Sequence, residues 1–197
     1  IRGASLTICC CGSTQYACLG SNSSHAVQNK GTLNMASGRI SSSVEYGAPI
    51  YNAGICTISG GKVSGSAGGG WQQPYKTAYG VYNAENGNLT ITGNPEISGR
   101  APGGSLEPTG PQIDVYTSIT INVQDLSNEF EGIKIGFYGE DGGTVVSGVT
   151  DADTAQLFTV TDPANSELTY NETDNSLTFK KGKSLITVPS TSPESPL

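Results

Sequence analysis

The stretch APIYNAGICTISGGKVSG, residues 48–65, is nearly restated by YGVYNAENGNLTITGNPEISG, residues 79–99. Aligning Val27, Ile50 and Val81 brings Asn29, Asn52 and Asn83 into register two residues later. Leu33, Cys56 and Leu89 follow as an apolar column, then Met35, Ile58 and Ile91, then Ile40, Val63 and Ile97. The first two copies lie 23 residues apart without gaps. The third is displaced by 31, which fits one insertion around GGGWQQPYKTA (68–78), with small adjustments at Asn86-Gly87 and Asn94-Pro95. IRGASLTI at the start is a degenerate earlier copy that puts Leu6 and Ile8 in the same columns.

Within each copy the apolar residues alternate at i and i+2, as in LNM, CTI and LTI, which is strand spacing. Gly and Asn between the short segments supply bends. A repeat of roughly 20–30 residues is the signature of a solenoid, in which no single coil buries its own apolar face. Stacked at about 4.8 Å per layer, coils cover one another and like residues meet. The Asn29/Asn52/Asn83 column then forms an amide ladder inside a turn, a structural role rather than a ligand site.

The repeats GVYNAENGNLTITGNPEISG and YNAG-CTISGGKVSG resemble the Gly/Asn-rich repeats of adhesin-like cell-surface proteins of gut-type Gram-positive bacteria. The resemblance implies a right-handed parallel β-helix followed by a small β-rich C-terminal capping region, in an all-β chain. It covers residues 25–110 well and 1–24 poorly. Residues 111–181 hold alternating segments such as SITINVQ, GIKIGFYG and SLTFKKG, and resemble the module that closes such helices. An end cap is needed because a last open layer exposes apolar side chains and strand edges. The expected organisation is therefore 1–110 β-helix repeats, 111–181 a β-rich cap and 182–197 a Ser/Thr/Pro-rich linker. The same resemblance implies an extracellular location at the bacterial cell surface.

Charge supports the division. The net charge of −7 is unevenly spread, about +2 over residues 1–110 and −9 over 111–197. An acidic chain is a poor partner for nucleic acid. No run of about 18 apolar residues is present, so membrane insertion is not expected. Without an initiator Met or signal peptide, the chain reads as a fragment or mature product cut from something longer. Sequons at Asn22, Asn88 and Asn171 matter only in a glycosylating source.

Catalytic machinery is hard to assemble from these residues. Glycoside hydrolysis uses two carboxylates, yet residues 1–110 contain no Asp, and Glu45, Glu85, Glu96 and Glu107 fall at unmatched repeat positions. A lyase needs a base and usually carboxylates beside it. Arg39 and Lys62 share a column, but no acidic cluster accompanies them, so they read as a solvated face. His25 is the only histidine, which excludes a multi-His metal site. GEDGG (139–143) and DADT (151–154) lack regular calcium-ligand spacing and read as exposed turns. No catalytic residues, metal or cofactor are expected.

Cys9, Cys10, Cys11 and Cys18 cluster in TICCCGSTQYACLG, while Cys56 occupies the core column as a small hydrophobe. A disulfide from Cys18 to one of Cys9–Cys11 would suit a secreted chain, and the odd total leaves at least one thiol over. The pairing stays open.

What remains is surface. Tyr51 and Tyr82 take equivalent outward positions, and the insertion adds Trp71, Gln72, Tyr75 and Tyr79 in an aromatic-poor half. Aromatic faces pack on sugar rings, and amides fix hydroxyls. Insertions in solenoids map to one face, often the binding one. The structural alternative is that Trp71 and Tyr75 fold back to cover the rod. The expected function is thus a non-catalytic surface module, a stalk or a binder of a glycan or host surface protein. The alternatives are a polysaccharide lyase-like enzyme and a self-assembling or ice-binding solenoid with end-to-end self-association. An outward Thr7, Thr57, Thr90 column is interrupted by Asn34, which weakens the ice-binding alternative.

Overall fold

A computed structural model describes residues 2–9, 18–21, 25–42, 48–65, 79–99, 112–117, 120–126, 132–162 and 165–182. The strands are β1 (Arg2–Ile8), β2 (Cys18–Ser21), β3 (Val27–Met35), β4 (Arg39–Ser42), β5 (Ile50–Asn52), β6 (Ile55–Ile58), β7 (Lys62–Gly65), β8 (Val81–Asn83) and β9 (Asn88–Gly93). They continue with β10 (Glu96–Ser98), β11 (Gln112–Thr117), β12 (Ile121–Leu126), β13 (Gly132–Phe137) and β14 (Thr144–Ser147). The helix α1 (Ala152–Gln156) precedes β15 (Phe158–Asp162), β16 (Glu167–Asn171) and β17 (Ser176–Lys180). The described residues are all-β apart from this single helical turn, in keeping with the alternating pattern.

The repeat columns found in the sequence are the pairing register. β3 pairs in parallel with β6, and β6 with β9, so that Leu33, Cys56 and Leu89 stand opposite one another, as do Met35, Ile58 and Ile91. β12 extends this ladder, with Val123 opposite Ile91. β1 begins it, with Leu6 opposite Leu33 and Ile8 opposite Met35. A second ladder runs β2–β4–β7–β10, carrying Ile40, Val63 and Ile97 in line. The first three residues of β3 pair with β5, and β5 with β8, aligning Val27, Ile50 and Val81. β3 therefore serves two sheets, and the chain turns between them at Lys30-Gly31.

Parallel pairing crosses residue 110. In β11, Ile113 pairs with Ile97 of β10 and Val115 with Val81 of β8. β13 stacks on β11 and β15 on β13, both in parallel. The sheet is nevertheless mixed. β17 runs antiparallel to β14 and to β16, forming a hairpin within the 111–181 segment at the end of the first ladder. GEDGG is the turn stitched to this hairpin: Asp141 Oδ1 accepts from the Lys181 N–H at 2.7 Å, and Gly142 N–H donates to the Phe179 carbonyl at 2.9 Å.

The core is the set of inward columns. Leu33, Ile40, Ile50, Cys56, Ile58, Val63, Leu89, Ile91 and Ile97 are all fully buried. Burying one such aliphatic side chain contributes about 1.5–3 kcal/mol. Phe137 and Phe179 close the far end, with ring centroids 4.9 Å apart. Cys56 behaves as the sequence suggests, and burial pushes its thiol up to about 12. Cys9 is exposed. The expected disulfide joins Cys18 to one of Cys9–Cys11, and Cys10, Cys11 and the Cys18 side chain lie outside the described residues.

At the corner after each Val-x-Asn or Ile-x-Asn, the asparagines meet. Asn29 Nδ2 donates to Asn52 Oδ1 at 2.7 Å, and Asn52 Nδ2 to Asn83 Oδ1 at 2.8 Å. Asn83 Nδ2 ends the series on Thr117 Oγ1 at 3.3 Å. The same oxygens accept from their own turns, Gly31 N–H on Asn29 and Gly54 N–H on Asn52. Each amide is fully buried with both its oxygen and its nitrogen partnered, which is what makes burial of a polar group tolerable.

Candidate functional site

Between the buried Val or Ile and the buried Asn of each corner, one residue must point outward, since strand side chains alternate. In β5 and β8 this residue is Tyr51 and Tyr82, directly opposite each other in the parallel register. Their rings stack, with centroids 5.4 Å apart and planes 8° from parallel. β11 supplies the next member, because Tyr116 pairs with Tyr82. Its ring centroid lies 5.6 Å from that of Tyr82. The following position is Gly136, opposite Tyr116. A Cβ there would collide with the Tyr116 ring and would lie 2.5 Å from the Tyr79 hydroxyl. The space that Gly136 leaves is filled by the Tyr116 ring and the Tyr79 phenol, while Tyr138, two residues on, stacks on Tyr116 at 4.6 Å and reaches Tyr82 at 6.0 Å.

The row therefore runs His25, Tyr51, Tyr82, Tyr116 and Tyr138, with Tyr79 packed at 4.7 Å beside Tyr116. His25 Nδ1 lies 2.6 Å from the Ala48 carbonyl; a carbonyl only accepts, so Nδ1 carries the proton of that bond. The Tyr138 and Tyr82 hydroxyls hydrogen-bond to each other at 3.1 Å, and either can donate. With Tyr82 as the donor, that hydrogen bond, burial and the neighbouring phenols raise Tyr82 above the ordinary tyrosine value. Stacking spends most ring faces on neighbouring rings. The row presents ring edges and hydroxyls outward, plus the free side of Tyr138, which is 37% exposed. Such a strip can hydrogen-bond hydroxyls or amides and pack one apolar group at its end.

Three residues singled out from the sequence, Tyr51, Tyr79 and Tyr82, are thus brought together. Trp71, Gln72 and Tyr75 lie outside the described residues. Sequence reasoning missed Tyr116, Tyr138 and His25. The signal for Tyr116 was present: VYT (115–117) restates VYN (81–83), with Thr in the asparagine column.

The basic column needs a correction. Glu96 is not at an unmatched position but stands opposite Lys62 across the β7–β10 pairing. Lys62 Nζ and Glu96 Oε1 form an ion pair at 2.6 Å. Arg39 Nη2 donates to Ser64 Oγ at 3.4 Å. The Lys62 ammonium, which would have to lose its proton to serve as a lyase base, is therefore paired with a carboxylate.

DADT is not merely an exposed turn. Asp151 caps α1, accepting from the Thr154 N–H at 2.7 Å and the Thr154 hydroxyl at 2.9 Å. These bonds, the backbone one foremost, hold its carboxyl below the usual carboxylate range. Among the described residues no group of three or more His, Cys, Asp or Glu is placed to hold a metal ion. Two shallow clefts flank the hairpin, one of about 560 Å³ between Asp141, Tyr170 and Lys180, the other of about 420 Å³ between Gln156, Val160 and Leu168. Neither is lined by a tyrosine of the row. Among the described residues no helix is long and apolar enough to cross a membrane.

No protein-family model, no curated protein and no solved structure matches the chain.

Proposed function

We propose that the chain is a non-catalytic extracellular module of a bacterial cell surface, a right-handed parallel β-helix of the adhesin-like kind. It acts as a stiff stalk whose tyrosine strip contacts a glycan or a host surface protein. The observation that carries the reading is the row Tyr51–Tyr82–Tyr116–Tyr138, a polar-edged aromatic strip held by successive in-register strands. The ion pairing of Lys62 supports the absence of turnover. Hydroxyl-rich ligands suit a surface that offers phenol edges rather than open ring faces.

A glycan array probed with wild type, Tyr138→Ala and Trp71→Ala tests the proposal. Binding that falls with Tyr138→Ala places the contact on the strip. Binding that falls only with Trp71→Ala moves it to the 68–78 insertion. No binding to any glycan or to host surface extract reduces the module to a stalk, and release of sugar from any array member overturns the non-catalytic reading.

A second reading is end-to-end self-association through the edges of β1 and β2. Among the described residues β1 pairs only with β3 and β2 only with β4, and Leu19 is 38% exposed. Unpaired strand edges are templates for further strands. The hairpin β16–β17 blocks one sheet at the other end, so head-to-tail growth is expected to stop at short oligomers. Sedimentation velocity across a concentration series checks it: a single concentration-independent species would sink the idea.

A further inference from the structure

Tyr82 and Tyr138 are 56 residues apart in sequence, yet their hydroxyl oxygens lie 3.1 Å apart. Their ring centroids are 6.0 Å apart with planes inclined by 30°. In a phenol the ring carbons flanking the hydroxyl-bearing carbon hold much of the unpaired electron once the group is oxidised. Two rings whose hydroxyls touch bring those ortho carbons within reach of one another by a small rotation about χ2. Tyr116 packs against both rings, at 5.6 Å from Tyr82 and 4.6 Å from Tyr138, and keeps them adjacent. Tyr138 is exposed enough to meet an oxidant in solution.

We propose that Tyr82 and Tyr138 form an oxidative coupling site, joined as dityrosine by a one-electron oxidant such as a haem peroxidase with hydrogen peroxide. Each phenol gives up its O–H hydrogen as a proton and an electron, leaving two tyrosyl radicals. The radicals pair to make one Cε–Cε bond. The hydrogens displaced from those carbons move to the oxygens and restore both phenols. One hydrogen peroxide takes up the two electrons and two protons and leaves as two waters. The product is a covalent staple from β8 to the end of β13, across the intervening β11. It locks three successive layers and is independent of whether the strip also binds a ligand.

The test treats the dilute full chain with peroxidase and hydrogen peroxide. The expected product is a monomer lighter by two hydrogen atoms, with biphenol fluorescence, and a proteolytic fragment joining Tyr82 to Tyr138. Tyr82→Phe and Tyr138→Phe, which keep the rings, each abolish that fragment, whereas Tyr170→Phe leaves it. Peptide mapping of the wild type alone decides the matter if a variant fails to fold. Cross-links mapped to other tyrosines, products that are only intermolecular, or an undiminished monomeric yield in Tyr138→Phe would overturn the proposal.

Discussion

The side-chain amide of Asn52 donates to that of Asn83 across 31 residues of sequence, at 2.8 Å and fully buried. Asn52 also accepts from Asn29 and from the Gly54 N–H, so it is the middle link of the corner ladder. Neighbouring amides in such a series depend on one another, because each buried donor or acceptor that loses its partner carries its own desolvation penalty.

Asn52→Ala should therefore lower stability by about 2–5 kcal/mol, since several buried groups lose a partner together. Asn29→Ala, at the end of the series, should cost less. Urea unfolding with unchanged slope and a lower midpoint is the expected record. Equal losses for the two variants would contradict a linked ladder.

Gly54 stands where two layers approach closely. A Cβ there would collide with the Gly31 carbonyl oxygen and lie 2.8 Å from the Gly31 nitrogen, both fixed backbone. Gly54→Ala should destabilise by about 1–3 kcal/mol through overpacking. Gly20→Ala is the control, since its nearest neighbour would be the Ser41 hydroxyl at 3.8 Å, an ordinary contact. It should stay within about 0.5 kcal/mol of wild type, as exposed substitutions do. Thermal melts of the two variants decide it.

The columns, the asparagine ladder and the all-β class were legible because apolar spacing at i and i+2 coincides with the 23-residue offset between the first two copies. The Lys62–Glu96 pair was equally legible and was missed: the alignment that matches Val63 with Ile97 also sets Lys62 against Glu96 one residue earlier. Tyr116 was harder to see. Its copy, VYT, lacks the asparagine that marks the corner and follows the charge shift near residue 110. Tyr138 was not legible at all, because it enters the row from two residues past its column position, which Gly136 holds. That is a fact of three-dimensional packing, which no linear alignment carries.

Cys56 gives a pH-dependent signature. Its thiol titrates near 9.0 when exposed and near 12 in the fold, because burial disfavours the thiolate. Below 9.0 both states keep the proton and its contribution is intact. Between these values the unfolded chain ionises while the folded one does not, so stability falls as pH rises, by up to about 1.4 kcal/mol per pH unit. Denaturation midpoints from pH 8 to pH 11 should decline more steeply for wild type than for Cys56→Ala. Parallel declines would show that Cys56 is not enclosed.

Lys62 and Glu96 are each about a third exposed, at 30% and 33%, so their 2.6 Å contact is partly screened by water. A double-mutant cycle with Lys62→Met and Glu96→Gln should return a coupling of about 0.2–1 kcal/mol that shrinks with added salt. A coupling near zero at low salt would mean the pair is not formed in solution.

Methyl–methyl nuclear Overhauser contacts in deuterated protein labelled at Met, Ile and Val methyls test the in-register stacking most directly. The account predicts one unbroken series, Met35 to Ile58, Ile58 to Ile91 and Ile91 to Val123. A missing Ile58–Ile91 contact, or Met35 joined to Ile91 with Ile58 elsewhere, would contradict it.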